Sequence, residues 1–415
     1  MDKKTLILFT SYFPFEPFEE YLENEINYLT SAFDKIYIFS QSSQKGTFYK
    51  LPDHVSYYNN SYHVNFFSKI YAIFLIRCKI LFEEKKFINQ KLKISFSLTR
   101  KKILLIDYLK AKNFSNPVSK IIKHEISEHH SVFLYSYWND YKAIAAALLK
   151  KDFPQIKAVS RAHGWDIYLE RNTENYLPLK KFMADYFDSI YFVSENGKQY
   201  FQNRFQLNGN LKLARLGVEN SYPFKVRKKS IELRLVSCSK LIPLKRIELL
   251  IEALYSLQGS IKINWIHFGD GILFNSVKDY AKEKLSDESN IQFSMPGYID
   301  HQAILDHYKN GNTDILINVS STEGLPLTMI EAMSYGIPVI GTDVGGISEI
   351  IEDKVNGLLI HADSSPREIA EAIEIFYKMS DEEYSKYCLN AYQTWKTKFN
   401  AEKNYPEFIE NIFSV

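Results

Sequence analysis

The sequence has few cysteines and no long apolar run. Only three of its 415 residues are cysteine, and none of them forms a Cys-x-x-Cys pair. This argues against a disulfide framework or a cysteine zinc site, and it favours a reducing compartment. No stretch approaches the roughly 18 apolar residues of a membrane span, because Arg77 and Lys79 interrupt the longest candidate. The N-terminal apolar run, Leu6–Phe9, is too short for a secretion signal and indicates a buried strand.

The chain also lacks a strong overall charge. The formal net charge is +2, which gives no reason to expect a nucleic-acid partner. Residues 61–125 differ from the rest, since they contain fourteen Lys and Arg against four Asp and Glu, with phenylalanines between them. Two interpretations stay open for this segment: helices with a solvated basic face, or contact with an anionic membrane surface. Nucleic acid is a weaker third option, because the rest of the chain is not basic.

Apolar strand-like runs alternate with helical periodicity along the whole chain. Examples are Thr5–Phe9, Lys35–Ser40, Leu233–Ser239 and Asp314–Ser320. This alternation predicts an α/β protein with parallel sheets. Because the length exceeds what one core usually supports, we expect two Rossmann-like domains. The predicted boundaries are 1–220 and 221–390, with a helix at about 391–415 that packs back on the first domain.

The stretch from Ser320 to Ile351 has the strongest indication of a binding site. It contains Glu323, then Gly324 and Leu325, and then Glu331 inside a predicted helix. In an open α/β sheet, ligands bind beyond the carboxyl ends of the strands. Free amides at a helix start favour an anion such as a diphosphate. Carboxylates on either side of that anion would accept hydrogen bonds from the hydroxyl groups of a ribose and a sugar.

Other candidates follow three more predicted strands. Lys240 and Lys245 come after Val236–Ser239 and are suited to stabilising a diphosphate leaving group. Gly269 and Gly271 form a Gly-x-Gly turn that would allow close approach to a nucleotide. His163 ends a strand in the first half and can hydrogen-bond a sugar hydroxyl or a phosphate. Arg161 and Asp166, beside it, are weaker candidates for shaping the acceptor side.

The motif EGLPLTMIEAMSYGIPVIGTDVGGISEII, together with SCSKLIPLKR, resembles the retaining glycosyltransferases of the GT4 type. The resemblance is specific in the second half of the chain and loose in the first. It implies the GT-B fold, in which two doubly wound domains face each other across a cleft. It also implies that Glu331 binds the nucleotide ribose and Glu323 the donor sugar, and that His163, Lys245 and Glu323 are the catalytic residues. Lys240, Gly269, Gly271, Gly324, Leu325 and Glu331 would bind the nucleotide-diphosphate donor.

The function implied is that of a retaining hexosyltransferase. It would move a sugar from a UDP- or GDP-sugar to a saccharide or lipid-linked saccharide in bacterial surface polysaccharide synthesis. We expect no cofactor and no metal, since no Asp-x-Asp pair occurs. The expected location is the cytoplasm, or the inner face of the plasma membrane if the basic segment binds lipid. The alternatives are a GT-B nucleotide-sugar epimerase and a non-catalytic partner subunit.

One loop departs from the family pattern. After the first strand, the family has a Gly-Gly turn that approaches the diphosphate. Here the corresponding sequence, SYFPFEPFEEYLENE, contains no glycine. The sequence therefore leaves open whether this loop contacts phosphate.

Overall fold

The computed structural model of the protein describes residues 3–15, 19–42, 49–60, 79–285 and 290–414. The chain forms two compact units. The first unit is Met1–Leu216 with Lys403–Val415, and the second is Gly217–Glu402. Within the described ranges, no helix is long and apolar enough to cross a membrane.

The first unit is built on a seven-stranded sheet in the order β3-β2-β1-β4-β5-β6-β7. All neighbouring strands are parallel. Side chains of β1 alternate between two cores, with Ile7 and Phe9 on one face of the sheet and Leu6 and Leu8 on the other. The strands are β1 Lys4–Thr10, β2 Lys35–Ser40, β3 Val55–Asn59, β4 Ser131–Ser136, β5 Lys157–Ala162, β6 Ser189–Phe192 and β7 Leu211–Leu213.

The helices of this unit cover both faces of the sheet, since each face carries its own apolar core. A π-helical turn at Ile88–Leu92 follows α2. From the C-terminal segment, Phe408 packs against Tyr135 and Tyr191. The helices are α1 Glu20–Ala32, α2 Lys79–Phe87, α3 Leu98–Ser127, α4 Tyr141–Asp152, α5 Lys180–Tyr186 and α6 Glu195–Phe205.

The second unit contains a six-stranded parallel sheet in the order β10-β9-β8-β11-β12-β13. Its core includes Leu235, Trp265 and Ile317 from three neighbouring strands. The strands are β8 Leu233–Cys238, β9 Ile263–Phe268, β10 Ile291–Gly297, β11 Ile315–Asn318, β12 Val339–Thr342 and β13 Gly357–Ile360. The helices are α7 Ile247–Ser256, α8 Phe274–Lys284, α9 His301–Lys309, α10 Leu327–Ser334, α11 Ile347–Ile350, α12 Pro366–Lys378 and α13 Asp381–Thr394. The last helix, α14 Ala401–Phe413, starts at the end of this unit and belongs mostly to the first unit.

Each sheet reverses its strand order once. The reversal lies between β1 and β4 in the first unit and between β8 and β11 in the second. Such a switch point separates the loops at the carboxyl ends of two strands and leaves a crevice there for ligands. The predicted class, two doubly wound α/β domains, is confirmed. The sequence analysis did not anticipate the edge strands β3 and β7, which are short and mostly not buried.

Candidate functional site

The loops on the two sides of the second switch point are joined. After β8 the chain makes a short 3-10 turn, Pro243–Lys245, and after β11 it continues into the loop that contains Glu323. The Ser321 amide donates to the Leu244 carbonyl over 2.8 Å. Lys245 Nζ lies 2.6 Å from Glu323 Oε1. Two residues that were predicted separately, one for phosphate and one for the sugar, therefore form a single ion pair.

Glu323 is buried, and three donors meet at one of its oxygens. Besides Lys245, the side chains of Asn318 and Ser320 donate to Oε1 over 3.0 Å and 2.7 Å. Burial alone would raise the pKa of Glu323, but the Lys245 charge and these hydrogen bonds outweigh it and leave the pKa below its ordinary value. The carboxylate is therefore ionised at neutral pH. Oε2 accepts no hydrogen bond from the described residues, so it can accept one from a sugar hydroxyl.

The start of α10 provides amides for an anion. The sequence predicts Pro326 in the first turn of this helix. In the structure the helix begins one residue later, at Leu327, and Pro326 is its N-cap residue. Within the described part of the chain, the amides of Gly324 and Leu325 donate to no carbonyl or side chain. Unpaired amides at a helix N-terminus favour a negatively charged ligand. This loop therefore has both a cation, Lys245, and backbone donors for a phosphate group.

Glu331 has a partner that the sequence did not reveal. Its side chain is buried in the second turn of α10, and His301 Nε2, at the start of α9, lies 2.9 Å from its Oε1. The two residues are 30 positions apart. No spacing rule predicts this contact, because it depends on how α9 packs beside α10. His301 holds one carboxylate oxygen and leaves the other for a ligand hydroxyl.

Three glycines, at the ends of two strands, allow backbone to approach backbone. Gly345 has a φ of +56°, and a Cβ atom there would lie 1.9 Å from the Glu323 carbonyl oxygen. A Cβ at Gly269 would lie 1.9 Å from the Ser239 carbonyl, and one at Gly271 would lie 2.4 Å from that of Leu241. These glycines are thus required by contacts inside the protein. A role for Gly269 and Gly271 against a nucleotide stays a prediction.

The two cations that flank Lys245 in the motif differ in environment. Lys240 is exposed after the end of β8, and no described residue pairs with it. Arg246 has a φ of +50° and a ψ of +40°, which are left-handed. Its guanidinium donates to the carbonyls of Val319 and Ser320 over 2.7 Å and 3.2 Å. Arg246 therefore binds the turn after β8 to the loop after β11.

In the first unit, His163 follows β5 as predicted. Its ring packs against Tyr137 and Trp138, with centroid distances of 4.9 Å and 4.4 Å. The ring is buried, and neither nitrogen has a hydrogen-bond partner among the described residues. Nδ1 is 3.8 Å from Asp166 Oδ2, which is too far for a hydrogen bond. Burial lowers the pKa of His163, so the imidazole is neutral at neutral pH.

The glycine-free loop after β1 is occupied by a carboxylate of the chain itself. Glu19 is buried and accepts hydrogen bonds from the amides of Ser11, Tyr12 and Phe13. It also accepts one from the indole N–H of Trp138. Nothing in the sequence singles out Glu19, because a glutamate just before a helix is also typical of an ordinary N-terminal dipole partner.

Two weaker candidates are buried inside the first unit. Arg161 is fully buried, and its guanidinium pairs with Glu25 over 2.5 Å. Asp166 is also fully buried, and it accepts the amides of Asn139, His163 and Gly164. Both residues stabilise the first unit from within, and a part in shaping the acceptor side stays a prediction. Of the basic segment 61–125, residues 61–78 lie outside the described part of the chain.

Known proteins resemble this chain in its sequence. Residues 218–394 match the family model for glycosyl transferases group 1. An uncharacterized glycosyltransferase of Methanocaldococcus jannaschii is 25% identical over 286 residues, which are 68% of this chain and 76% of that protein. The lipopolysaccharide 1,6-galactosyltransferase of Escherichia coli K12 is 32% identical over 135 residues, which are 32% of this chain and 35% of that enzyme.

Solved structures resemble it along its whole length. A glycosyltransferase of Rickettsia africae aligns with a TM-score of 0.68 at 16% identity, covering 100% of this chain and 99% of that one. The Anabaena protein Alr3699/HepE, in complex with UDP, aligns with a TM-score of 0.66 at 15% identity, covering 99% and 100%. The fold is the GT-B glycosyltransferase fold. The match to the family model, over residues 218–394, lies within the second unit.

Proposed function

We propose that the protein is a retaining hexosyltransferase that uses a nucleotide-diphosphate sugar. The acceptor is a saccharide or a lipid-linked saccharide of a bacterial surface polysaccharide. The observation that carries this proposal is the Lys245–Glu323 pair beside the open amides of Gly324 and Leu325. The complex of the Anabaena protein with UDP and the similarity to a lipopolysaccharide galactosyltransferase support the same donor and acceptor classes.

In the proposed mechanism, the second unit binds the donor. The amides of Gly324 and Leu325 and the ammonium of Lys245 stabilise the diphosphate as negative charge develops on it. Exposed Lys240 adds a second cation after the same strand. Glu323 Oε2 accepts a hydrogen bond from a donor sugar hydroxyl. Glu323 acts as a binder, because an ion pair with Lys245 makes its carboxylate a poor nucleophile.

Glu331 is proposed to bind the ribose through the carboxylate oxygen that His301 leaves free. The acceptor hydroxyl attacks the sugar from the face that the diphosphate leaves, and the departing phosphate accepts its proton. The configuration at the anomeric carbon is thereby retained. Lysine and backbone amides carry the leaving-group charge, so the proposal requires no metal ion. The contribution of His163 to the donor sugar or phosphate, a cytoplasmic location and contact of 61–125 with an anionic membrane stay predictions.

A thermal-shift panel of UDP, GDP and ADP tests the donor site. A nucleotide that binds only the folded protein raises its melting temperature by mass action. We expect one of the three to stabilise the wild type and to stabilise Glu331→Ala much less. The matched control is Glu371→Ala, which removes an exposed glutamate of the same unit that pairs only with Arg367. If no nucleotide stabilises the wild type, the donor site as proposed is wrong and a non-catalytic GT-B subunit becomes the better interpretation.

A further inference from the structure

The loop after β1 forms a cradle for an anion. Three consecutive amides, those of Ser11, Tyr12 and Phe13, point at the Glu19 carboxylate with N–O distances of 2.8–3.1 Å. Successive amides that converge in this way make an anion-binding nest. Glu19 is 5% exposed, so an ion from solution has no access while the carboxylate is in place.

The loop at the switch point of the second unit differs from the loop after β1, because its amides are open. At its switch point, the amides of Gly324 and Leu325 have no acceptor within the described residues. At the switch point of the first unit, the corresponding donors are already satisfied by Glu19. Among the described residues of the loop after β1, the amides of Ser11, Tyr12 and Phe13 are therefore not available to a diphosphate.

Glu19 also connects the two strands that flank the switch point. The nest follows β1, whereas Trp138, whose indole N–H donates to Glu19 Oε1, follows β4. The Trp138 ring packs on the His163 ring at a centroid distance of 4.4 Å. Because His163 makes no side-chain hydrogen bond to a described residue, its position depends on the rings around it. Any movement of Trp138 therefore reaches His163.

We propose that Glu19 is a positioning residue, an internal anion that fills the nest after β1 and holds Trp138 against His163. The importance of this position for sugar transfer rests on the function proposed above. The contacts themselves do not, so they can be tested without a substrate.

Chemical rescue in Glu19→Ala is the test. Formate has the carboxylate that the variant lacks and is small enough to enter the emptied space. We expect Glu19→Ala to melt at a lower temperature than the wild type, and sodium formate, unlike sodium chloride at equal ionic strength, to restore part of the loss. The wild type should not respond to formate. Glu83→Ala, which removes an exposed glutamate of the same unit, is the matched control.

The second readout is the NMR resonance of the His163 ring, assigned by its absence in His163→Gln. It should shift in Glu19→Ala and return toward the wild-type position with formate. A general loss of stability would not produce that return. Trp138→Phe keeps a ring but removes the indole N–H, so it should shift the same resonance while the nest stays filled, and it serves if Glu19→Ala fails to fold.

The proposal is overturned if the His163 resonance is the same in wild type and Glu19→Ala, or if formate and chloride act alike on Glu19→Ala. Turnover of the donor identified by the nucleotide panel should fall about 10- to 100-fold in Glu19→Ala, as expected for a displaced site group. Turnover that stays at the wild-type level while the resonance shifts would contradict only the role of His163. Lys245→Ala should lower turnover by about 10²- to 10³-fold without moving the resonance, which separates the two proposals.

Discussion

Lys245 and Glu323 are joined by an ion pair of 2.6 Å that spans the switch point of the second sheet. The pair brings together the turn after β8 and the loop after β11. It directs the ammonium of Lys245 and leaves one oxygen of Glu323 open. Neither residue can therefore be replaced without disturbing the other, and the first prediction depends on this coupling.

Lys245→Ala should lower kcat by about 10²- to 10³-fold, the usual loss when one group that stabilises a developing anion is removed. It should also raise the pKa of Glu323, because the charge of Lys245 is the largest of the effects that offset the burial of this carboxylate. Release of free nucleoside diphosphate measures the first effect. Lys378→Ala, which breaks an exposed pair with Glu374, is the control. Wild-type turnover in Lys245→Ala would contradict the assigned role.

Glu331→Gln should weaken nucleotide binding about tenfold or more, because a hydrogen bond to a charged acceptor contributes about 1.5–3 kcal/mol. The loss should vanish for the 2′,3′-dideoxy form of the same nucleotide, which has no ribose hydroxyls to donate. His301→Ala should give a smaller loss, and the double variant should lose less than the sum, since both residues act on one contact. Calorimetric titration measures all four proteins. Equal losses for the ribo and dideoxy nucleotides would show that Glu331 does not bind the ribose.

Gly345→Ala should destabilise the second unit and impair nucleotide binding. The added methyl group would lie 1.9 Å from the Glu323 carbonyl, in a backbone with a φ of +56°. Gly311→Ala is a matched control, because its φ is +76° and nothing lies within 4 Å of the added Cβ. We expect the left-handed backbone alone to cost about 1–2 kcal/mol in both variants, and the clash to make Gly345→Ala clearly worse. Denaturant unfolding with and without nucleotide measures the stability of each variant and its stabilisation by nucleotide. Equal unfolding midpoints for Gly345→Ala and Gly311→Ala would refute the close approach of Gly345 to the Glu323 carbonyl.

Glu84→Gln should change the pH dependence of stability. Burial raises the pKa of Glu84 from 4.5 to about 7, although Tyr176 and the Leu179 amide donate to it. Because the folded pKa is the higher one, ionising Glu84 disfavours the folded state, and stability falls as the pH rises from 4.5 to about 7. Glutamine has no charge to bury. The variant should therefore gain up to about 3 kcal/mol over wild type at pH 8 and gain nothing near pH 4. Urea unfolding at pH 4 and pH 8 measures the free energy of unfolding of both proteins. A difference between them that does not depend on pH would contradict the raised pKa of Glu84.

Local features of the sequence were sufficient for the elements and for part of the site. Apolar runs such as Thr5–Phe9 predicted the buried strands, because a strand covered on both faces is apolar throughout. The order Glu323, Gly324, Leu325, Pro326 predicted a loop that passes into a helix with a carboxylate on each side. Lys245 and His163 were found because each follows a predicted strand. Each of these features by itself spans only a few consecutive residues. Over such a short distance, spacing alone determines which side chains are neighbours.

The pairings that organise the site needed the tertiary structure. Lys245 and Glu323 are 78 positions apart, His301 and Glu331 are 30 apart, and Glu19 and Trp138 are 119 apart. Periodicity carries no information about which loops meet at a sheet edge, since the order of the strands decides it. The sequence by itself determined an α/β chain with two carboxylates and a helix start suited to a diphosphate. Only the packing of loops at the two switch points decided that one set of backbone amides stays open and that the other is filled by a carboxylate of the protein itself.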